Sequence, residues 1–236
     1  MAFGAMILAA GRGERMRPLS DACPKPLLIA GGEPLIVHQL RALVRAGFAD
    51  VVINAAHLAD LLIDAIGDGA RFGARVRWSR ETEALETAGG IATALPLLPP
   101  GPALIVSGDL WTRYDYARLR PVARAIADDP AGARVHLVMV PNPPYHPRGD
   151  FALQGARVAL DGEPRLTYGN IGVYDTALFA GLARHAKLKL LPYLNEWIAR
   201  GFVRGERYDG AWENVGTPAD LARLDAALAK PPGESP

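Results

Sequence analysis

Residues 5–16 read Ala-Met-Ile-Leu-Ala-Ala-Gly-Arg-Gly-Glu-Arg-Met. A near-continuous apolar run ends in small residues and two glycines, the pattern of a strand covered on both faces that turns sharply at its C-terminal end. The runs DVVINAA at 50–56 and ALIVSGD at 103–109 have the same character. Strands are expected at 5–10, 50–55, 75–79, 103–106 and 135–140, with helices at 34–46, 58–66, 87–97 and 115–127. That alternation predicts an α/β fold with a mostly parallel sheet flanked by helices.

After about residue 140 the rhythm changes. The Pro/Gly-rich PNPPYHPRGD reads as a loop. Shorter strand candidates come next (FALQ, RVAL, LTYGNIGVY, VRGERYDGAW), with helices expected at 176–186 and 188–199. Thr217-Pro218-Ala219-Asp220 opens the last helix with a threonine cap, proline at the first helical position and an acid three residues after the cap. One continuous domain over 1–236 is expected, with a first lobe at about 1–130, a second lobe at about 131–230 and a tail at 231–236.

The 236 residues are 50% hydrophobic and 22% charged, an ordinary globular composition. With 26 Lys plus Arg against 25 Asp plus Glu the formal charge is +1, which argues against a nucleic-acid partner. Any anion must be held by a local site. The single cysteine, Cys23, allows neither an internal disulfide nor a multi-cysteine zinc site. No apolar run approaches the roughly 18 residues needed to span a bilayer. The N-terminal apolar stretch is too short for a signal peptide and lacks a preceding basic residue. A cytoplasmic protein with no membrane partner is expected, as a monomer or small homo-oligomer.

The glycine turn lies where open α/β sheets bind phosphates. It is not a P-loop, because no Gly-Lys-Ser/Thr comes after it, and Met16 stands where a dinucleotide fingerprint needs its third glycine. What it adds is charge: Arg12, Arg15, Arg17, and Lys25 between Pro24 and Pro26, which restrict where the lysine points. At the second strand end, Ser107-Gly108-Asp109 places a carboxylate over the ligand crevice, either as a hard Mg²⁺ ligand or as a cap for the next turn of chain. Leu85-Glu86-Thr87-Ala88-Gly89-Gly90 opens a helix whose amides could meet a base or phosphate; an ordinary glycine turn looks the same. Asp150, after Gly149, and Asn170, after Gly169, either hydrogen-bond a ligand or make turns.

The run LAAGRGERMRPLS…PKPLL resembles the signature of the sugar-1-phosphate nucleotidyltransferases, and the likeness extends over nearly the whole chain. It implies a Rossmann-like, mostly parallel mixed sheet of the nucleotide-diphospho-sugar transferase type. It also implies a loop wrapping a nucleoside triphosphate, with Ala10, Gly11, Gly13, Glu14, Arg15, Lys25, Glu86, Gly89 and Ser107 binding nucleotide. Arg15, Lys25 and Asp109 would be catalytic, and Arg17 lies close enough to help. Asp109 would share Mg²⁺ with the residue at 214, in the late segment Trp212-Glu213-Asn214-Val215-Gly216-Thr217. Asn214 stands there in place of the usual aspartate. Glu213 would point to the opposite face.

LETAGGI, the RGDF loop and KLKLLPYLNEWIARGFVRGERYDGAW resemble the small single-domain branch that acts on N-acetylmuramic acid α-1-phosphate; Ser107 departs from that branch, which tends to carry asparagine. The implied partners are UTP and a sugar 1-phosphate, with Gly149, Asp150, Gly169 and Asn170 on the sugar and Arg148 near the lactyl carboxylate. Alternatives are glucose, mannose or heptose 1-phosphate with dTTP or GTP, and, from another class, a nucleotide-binding relative without turnover.

Overall fold

The computed structural model describes residues 3–229, so the tail expected at 231–236 lies outside the described residues. The chain begins with β1 (Gly4–Leu8), the glycine loop, a 3₁₀ turn at Glu14–Met16, and the one-turn α1 (Leu19–Ala22). A 3₁₀ turn at Lys25–Leu27 leads to the small ribbon β2 (Ile29–Ala30) and β3 (Glu33–Pro34). Then come α2 (Leu35–Arg45), β4 (Asp50–Ala55), α3 (Ala59–Ile66), β5 (Arg75–Arg80), α4 (Glu86–Ala94) and β6 (Pro102–Ser107). The second half holds β7 (Leu110–Thr112), α5 (Leu119–Asp128), β8 (Val135–Val140), β9 (Phe151–Gln154), β10 (Arg157–Ala159) and β11 (Arg165–Asp175). It closes with α6 (Leu191–Ala199), β12 (Val203–Arg207), β13 (Trp212–Asn214) and α7 (Pro218–Ala229).

Among the described residues the main sheet has nine strands in the order β5-β4-β1-β6-β11-β8-β12-β10-β9. β5, β4, β1 and β6 are parallel. β11 is antiparallel to both β6 and β8, and β8 is parallel to β12. The expected α/β sheet flanked by helices is present, parallel over β5-β4-β1-β6 and mixed beyond β6. Its apolar strands are dressed on both faces: Ala5, Ile7, Val51, Ile53, Leu104 and Val106 pack in one core, while Met6, Val52, Ala103 and Ile105 pack in the other. This two-sided burial is why the runs show no polar alternation.

From β1 the chain crosses to β4 on one side and later returns as β6 on the other. The C-terminal ends of β1 and β6 therefore flank the point where strand order reverses, the place where such sheets bind ligands. A third, smaller core pins the loop beyond β1: Met16 is fully buried with Leu28, Leu35, Val215 and Leu224. Burying such a side chain is worth about 1.5–3 kcal/mol, so the third-glycine position serves as an anchor.

Two helices differ from expectation. The stretch 176–186 forms only a 3₁₀ turn at Thr176–Phe179, capped by the Asp175 carboxylate accepting from Ala177 N at 3.0 Å. The chain beyond it is held by α4 instead, as Leu188 O accepts from Ala88 N at 2.9 Å and Gly89 N at 3.1 Å. α6 starts at Leu191, three residues later than expected. The last helix has the reciprocal cap its sequence announced: Thr217 Oγ1 accepts from Asp220 N at 3.2 Å, and Asp220 Oδ2 accepts from Thr217 N at 2.9 Å.

Candidate active site

Two cavities, of about 690 and 530 Å³, open at the C-terminal edge of β1 and β6 and share Leu8, Glu86, Thr87 and Ser107 in their walls. The first is lined by the loop Ala9–Arg15 and carries three cations, Arg12, Arg15 and Lys25. Ala10, Gly11, Gly13, Glu14, Arg15, Lys25, Glu86 and Ser107, expected at the nucleotide, line it, as does Asp109, expected at the metal. Arg17 does not; it is exposed and paired with Asp21 at 3.1 Å.

The two loop glycines serve different purposes. Gly13 has φ +65°, a backbone state L side chains rarely adopt, and a Cβ there would crowd Lys25 Cβ at 3.1 Å. Gly11 needs no such conformation and a Cβ there would meet nothing within 4 Å. The missing side chain leaves its amide open to a ligand.

Lys25 is buried and its ammonium contacts the Asp109 carboxylate. Asp109 is carried round the end of β6 by Gly108, whose amide donates to Leu8 O at 2.8 Å. β13 pairs with β7, setting Asn214 opposite Leu110, and Val215 N donates to Asp109 O at 3.1 Å. The fold thus brings Asp109 and Asn214, 105 positions apart in sequence, onto adjacent strand ends. Asp109 lines the first cavity and Asn214 the second. Glu213 faces away, bound to Arg223 at 2.8 Å. No group of three or more His, Cys, Asp or Glu able to hold a metal occurs among the described residues. One carboxylate and one amide oxygen suit a hard cation that takes its remaining ligands from phosphates and water, as Mg²⁺ does. The donor set fits Mg²⁺ and does not fit a resident zinc.

Sequence reading missed the floor of the first cavity. Asn54, at the end of β4, accepts from Ala9 N at 2.7 Å and donates to Glu81 Oε1 at 2.7 Å. Glu81 Oε2 accepts from Leu85 N at 3.1 Å. This chain of bonds ties the β1 loop to the segment leading into α4. Burial pushes the Glu81 carboxyl pKa up, against the opposing pull of its bonds to Asn54 and Leu85. The available signal was Asn54 itself, a polar side chain inside an otherwise apolar buried run.

Gly89 is a correction. It does not line either cavity, and its amide is already committed to Leu188 O. A Cβ there would lie 2.0 Å from Ala186 O, so this glycine permits close packing of α4 on the 186–188 chain.

The second cavity is lined by Asp150 and Asn170, two of the four residues expected at the sugar. Asn170 sits at φ +56°, in the irregular stretch of β11 between Tyr168 and Gly172. Asp150 is held at both oxygens, by His146 Nε2 at 3.1 Å and by Tyr168 N at 2.8 Å. Gly149 and Gly169 are corrections: neither lines the cavity. A Cβ at Gly149 would strike Asn142 Oδ1 at 2.6 Å, and Gly169 O accepts from Trp212 Nε1 at 2.9 Å, so both shape the wall from behind. Arg148 is exposed and also lies outside the lining. Tyr145, not foreseen, lines the cavity together with Asn214.

A family model for nucleotidyl transferases matches residues 4–147, more than half of the chain. The chain belongs to that family. It is 43% identical over 229 residues to an N-acetylmuramate alpha-1-phosphate uridylyltransferase of Neisseria meningitidis, covering 95% of this chain and 96% of the relative. It is 33% identical over 237 residues to the protein of the same name from Caulobacter vibrioides, covering 96% and 97%. In fold it is similar to a Bacillus anthracis protein described as a glucose-1-phosphate thymidylyltransferase, with a TM-score of 0.82, 20% identity, and 98% and 97% of the two chains covered. As a nucleotidyltransferase the chain is an enzyme, and its cation-lined first cavity has the character that a nucleotide-binding pocket requires. No helix among the described residues is long and apolar enough to cross a membrane.

Proposed function

We propose that the enzyme transfers a uridylyl group from UTP to N-acetylmuramic acid α-1-phosphate, releasing pyrophosphate. The observation that carries the reaction class is that Asp109, in the wall of a cation-lined cavity, and Asn214, in the wall of an adjoining cavity sized for a sugar, lie on adjacent strand ends. Near-full-length identity to two N-acetylmuramate uridylyltransferases supports the choice of acceptor.

The acceptor phosphate, with a second pKa near about 6, is largely dianionic at neutral pH, so no protein base is required. One of its oxygens attacks the α-phosphorus in line; the new P–O bond forms as the bond to the β-phosphate bridge breaks, and the electron pair leaves with pyrophosphate. The protein's contribution is positioning and charge neutralisation. Lys25 offsets repulsion between the two anions, and Arg15 with the Gly11–Gly13 amides holds the leaving pyrophosphate. Asp109 and Asn214 would hold Mg²⁺, which would supply positive charge to offset the negative charge of the phosphates. We assign the reaction to peptidoglycan recycling in the cytoplasm, by a monomer or small homo-oligomer.

Pyrophosphate release, measured with a matrix of triphosphates and sugar 1-phosphates, tests this. UTP with N-acetylmuramic acid 1-phosphate is expected to give the highest specificity constant. A tenfold preference for N-acetylglucosamine or glucose 1-phosphate, or for dTTP or GTP, would replace the substrate while keeping the reaction class. No release with any pair would leave the rival reading, a nucleotide-binding protein without turnover.

A further inference from the structure

We propose that Lys189 is a specificity-determining residue that reads a second negative charge on the acceptor, a carboxylate borne on the sugar ring. The inference deepens the proposed acceptor and stands on it. A sugar 1-phosphate with an added carboxylate brings a second anion into a cavity, and that anion needs a cation away from the phosphates.

Lys189 is the one Lys or Arg lining the second cavity among the described residues. Its neighbour Lys187 is spent on Glu83 at 2.5 Å, whereas Lys189 joins no ion pair among the described residues. Asp150, the acid of that cavity nearest in role, has both oxygens occupied by His146 and Tyr168. Glu86 belongs to the wall shared with the first cavity. Lys189 also stands beside the apolar side chains of Leu190, Leu191 and Leu194 at the start of α6, with the exposed ring of Tyr145 lining the same cavity. A cation next to an apolar wall suits a carboxylate on a short alkyl arm. Arg148, the cation closest to the RGDF motif in sequence, lies outside the lining and cannot take this role from its place in the structure.

The test compares specificity constants for N-acetylmuramic acid 1-phosphate and N-acetylglucosamine 1-phosphate in the wild-type enzyme and in Lys189→Gln, Lys189→Glu and Lys189→Arg. These acceptors differ by the lactyl ether that carries the carboxylate. An exposed ion pair contributes modestly, so the muramate-to-glucosamine ratio should fall about threefold to fivefold in Lys189→Gln. It should fall further in Lys189→Glu, hold in Lys189→Arg, and in the wild type shrink as salt is raised. Equal losses on both acceptors would assign Lys189 to the shared phosphate or to the fold and overturn the inference, as would a ratio that never moves. The wild-type ratio reports separately on the acceptor itself: a preference for the glucosamine compound there defeats the proposed substrate, whereas an intact wild-type preference with unresponsive variants defeats Lys189 alone.

Discussion

Lys25 keeps only 10% of its side chain exposed and rests on a carboxylate that is itself 27% exposed. A lysine is rarely buried unless it is paired, and here the pairing holds its charge at the wall of the first cavity. Lys25→Ala should lower turnover by about 10²–10³, the range found when one preorganised electrostatic contact is removed from a reacting centre. Far-UV circular dichroism should stay native, because Asp109 retains access to water. A folded variant with near-normal turnover would remove Lys25 from the chemistry. Glu81 gives a different kind of prediction. Its carboxyl pKa is raised above the ordinary 4.5 by burial, so between that value and the raised one the folded protein holds a proton the unfolded chain has lost. Stability from this group therefore falls as pH rises through that window. Glu81→Gln cannot titrate, and it turns an amide N–H₂ toward either Asn54 Nδ2 or Leu85 N, leaving a buried donor unsatisfied at about 1–3 kcal/mol. Urea denaturation across pH 4 to 8 should show the variant less stable throughout, with the gap to wild type narrowing as pH rises. A gap of constant size would mean that Glu81 is not held in its raised state.

At the scale of elements, α4 is fitted to its neighbours by glycine. Gly89 meets the Ala186 carbonyl, and Gly90 lies under the Asn54–Glu81 bond, where a Cβ would come within 2.8 Å of Asn54 Nδ2. Gly89→Ala should cost about 1–3 kcal/mol through overpacking. It should also raise the KM for UTP, because Glu86 and Thr87 in the first turn of α4 line the cavity proposed for the nucleotide. An unchanged thermal midpoint would show that the 186–188 chain yields freely. The β7–β13 pair makes a second prediction. Asn214→Asp places a second carboxylate one strand position from Asp109, so the variant should melt lower than wild type in EDTA and gain more stability from added Mg²⁺. Equal Mg²⁺ responses in the two proteins would separate Asn214 from the metal. These same elements show what the sequence made legible. Strands buried on both faces announce themselves as apolar runs, and the α7 cap needed only residues three apart. The 176–186 stretch misled because its fate is decided by α4, where Leu188 O accepts two amides, and no local pattern records that partner. Gly89 misled for a related reason: a glycine that admits a ligand and one that admits a neighbouring carbonyl look identical until the neighbour is placed. Asp109 is legible as a carboxylate at a strand end and Asn214 only through the family resemblance, and their adjacency depends on a strand pairing across 105 positions.

On the scale of the whole molecule, the two halves of the chain do not form two sheets. β11, from the second half, lies between β6 and β8 and pairs with both, so the nucleotide-side strands and the sugar-side strands share one hydrogen-bonded surface. An insertion of this kind leaves no local trace, because antiparallel pairing over such a sequence distance is fixed only when the sheet closes. It has a thermodynamic consequence. If the sheet unfolds as one cooperative unit, a ligand bound only by the first cavity must stabilise the second half as well. UTP with Mg²⁺ at about 100 times its dissociation constant adds roughly 2.7 kcal/mol to the folded state, which for a chain of this size raises the midpoint by about 5–10 °C. The expected calorimetric trace is a single transition that moves as a whole. Tryptophan fluorescence, which includes Trp197 on α6 in the second core, should move with the far-UV signal. Trp197→Phe keeps an aromatic ring in that core, and the part of the fluorescence transition lost in this variant identifies the signal of the second half. If that component melts at an unchanged temperature while the rest shifts upward with UTP, the halves are separate cooperative units joined by a sheet that does not transmit stability, and the single-domain reading fails.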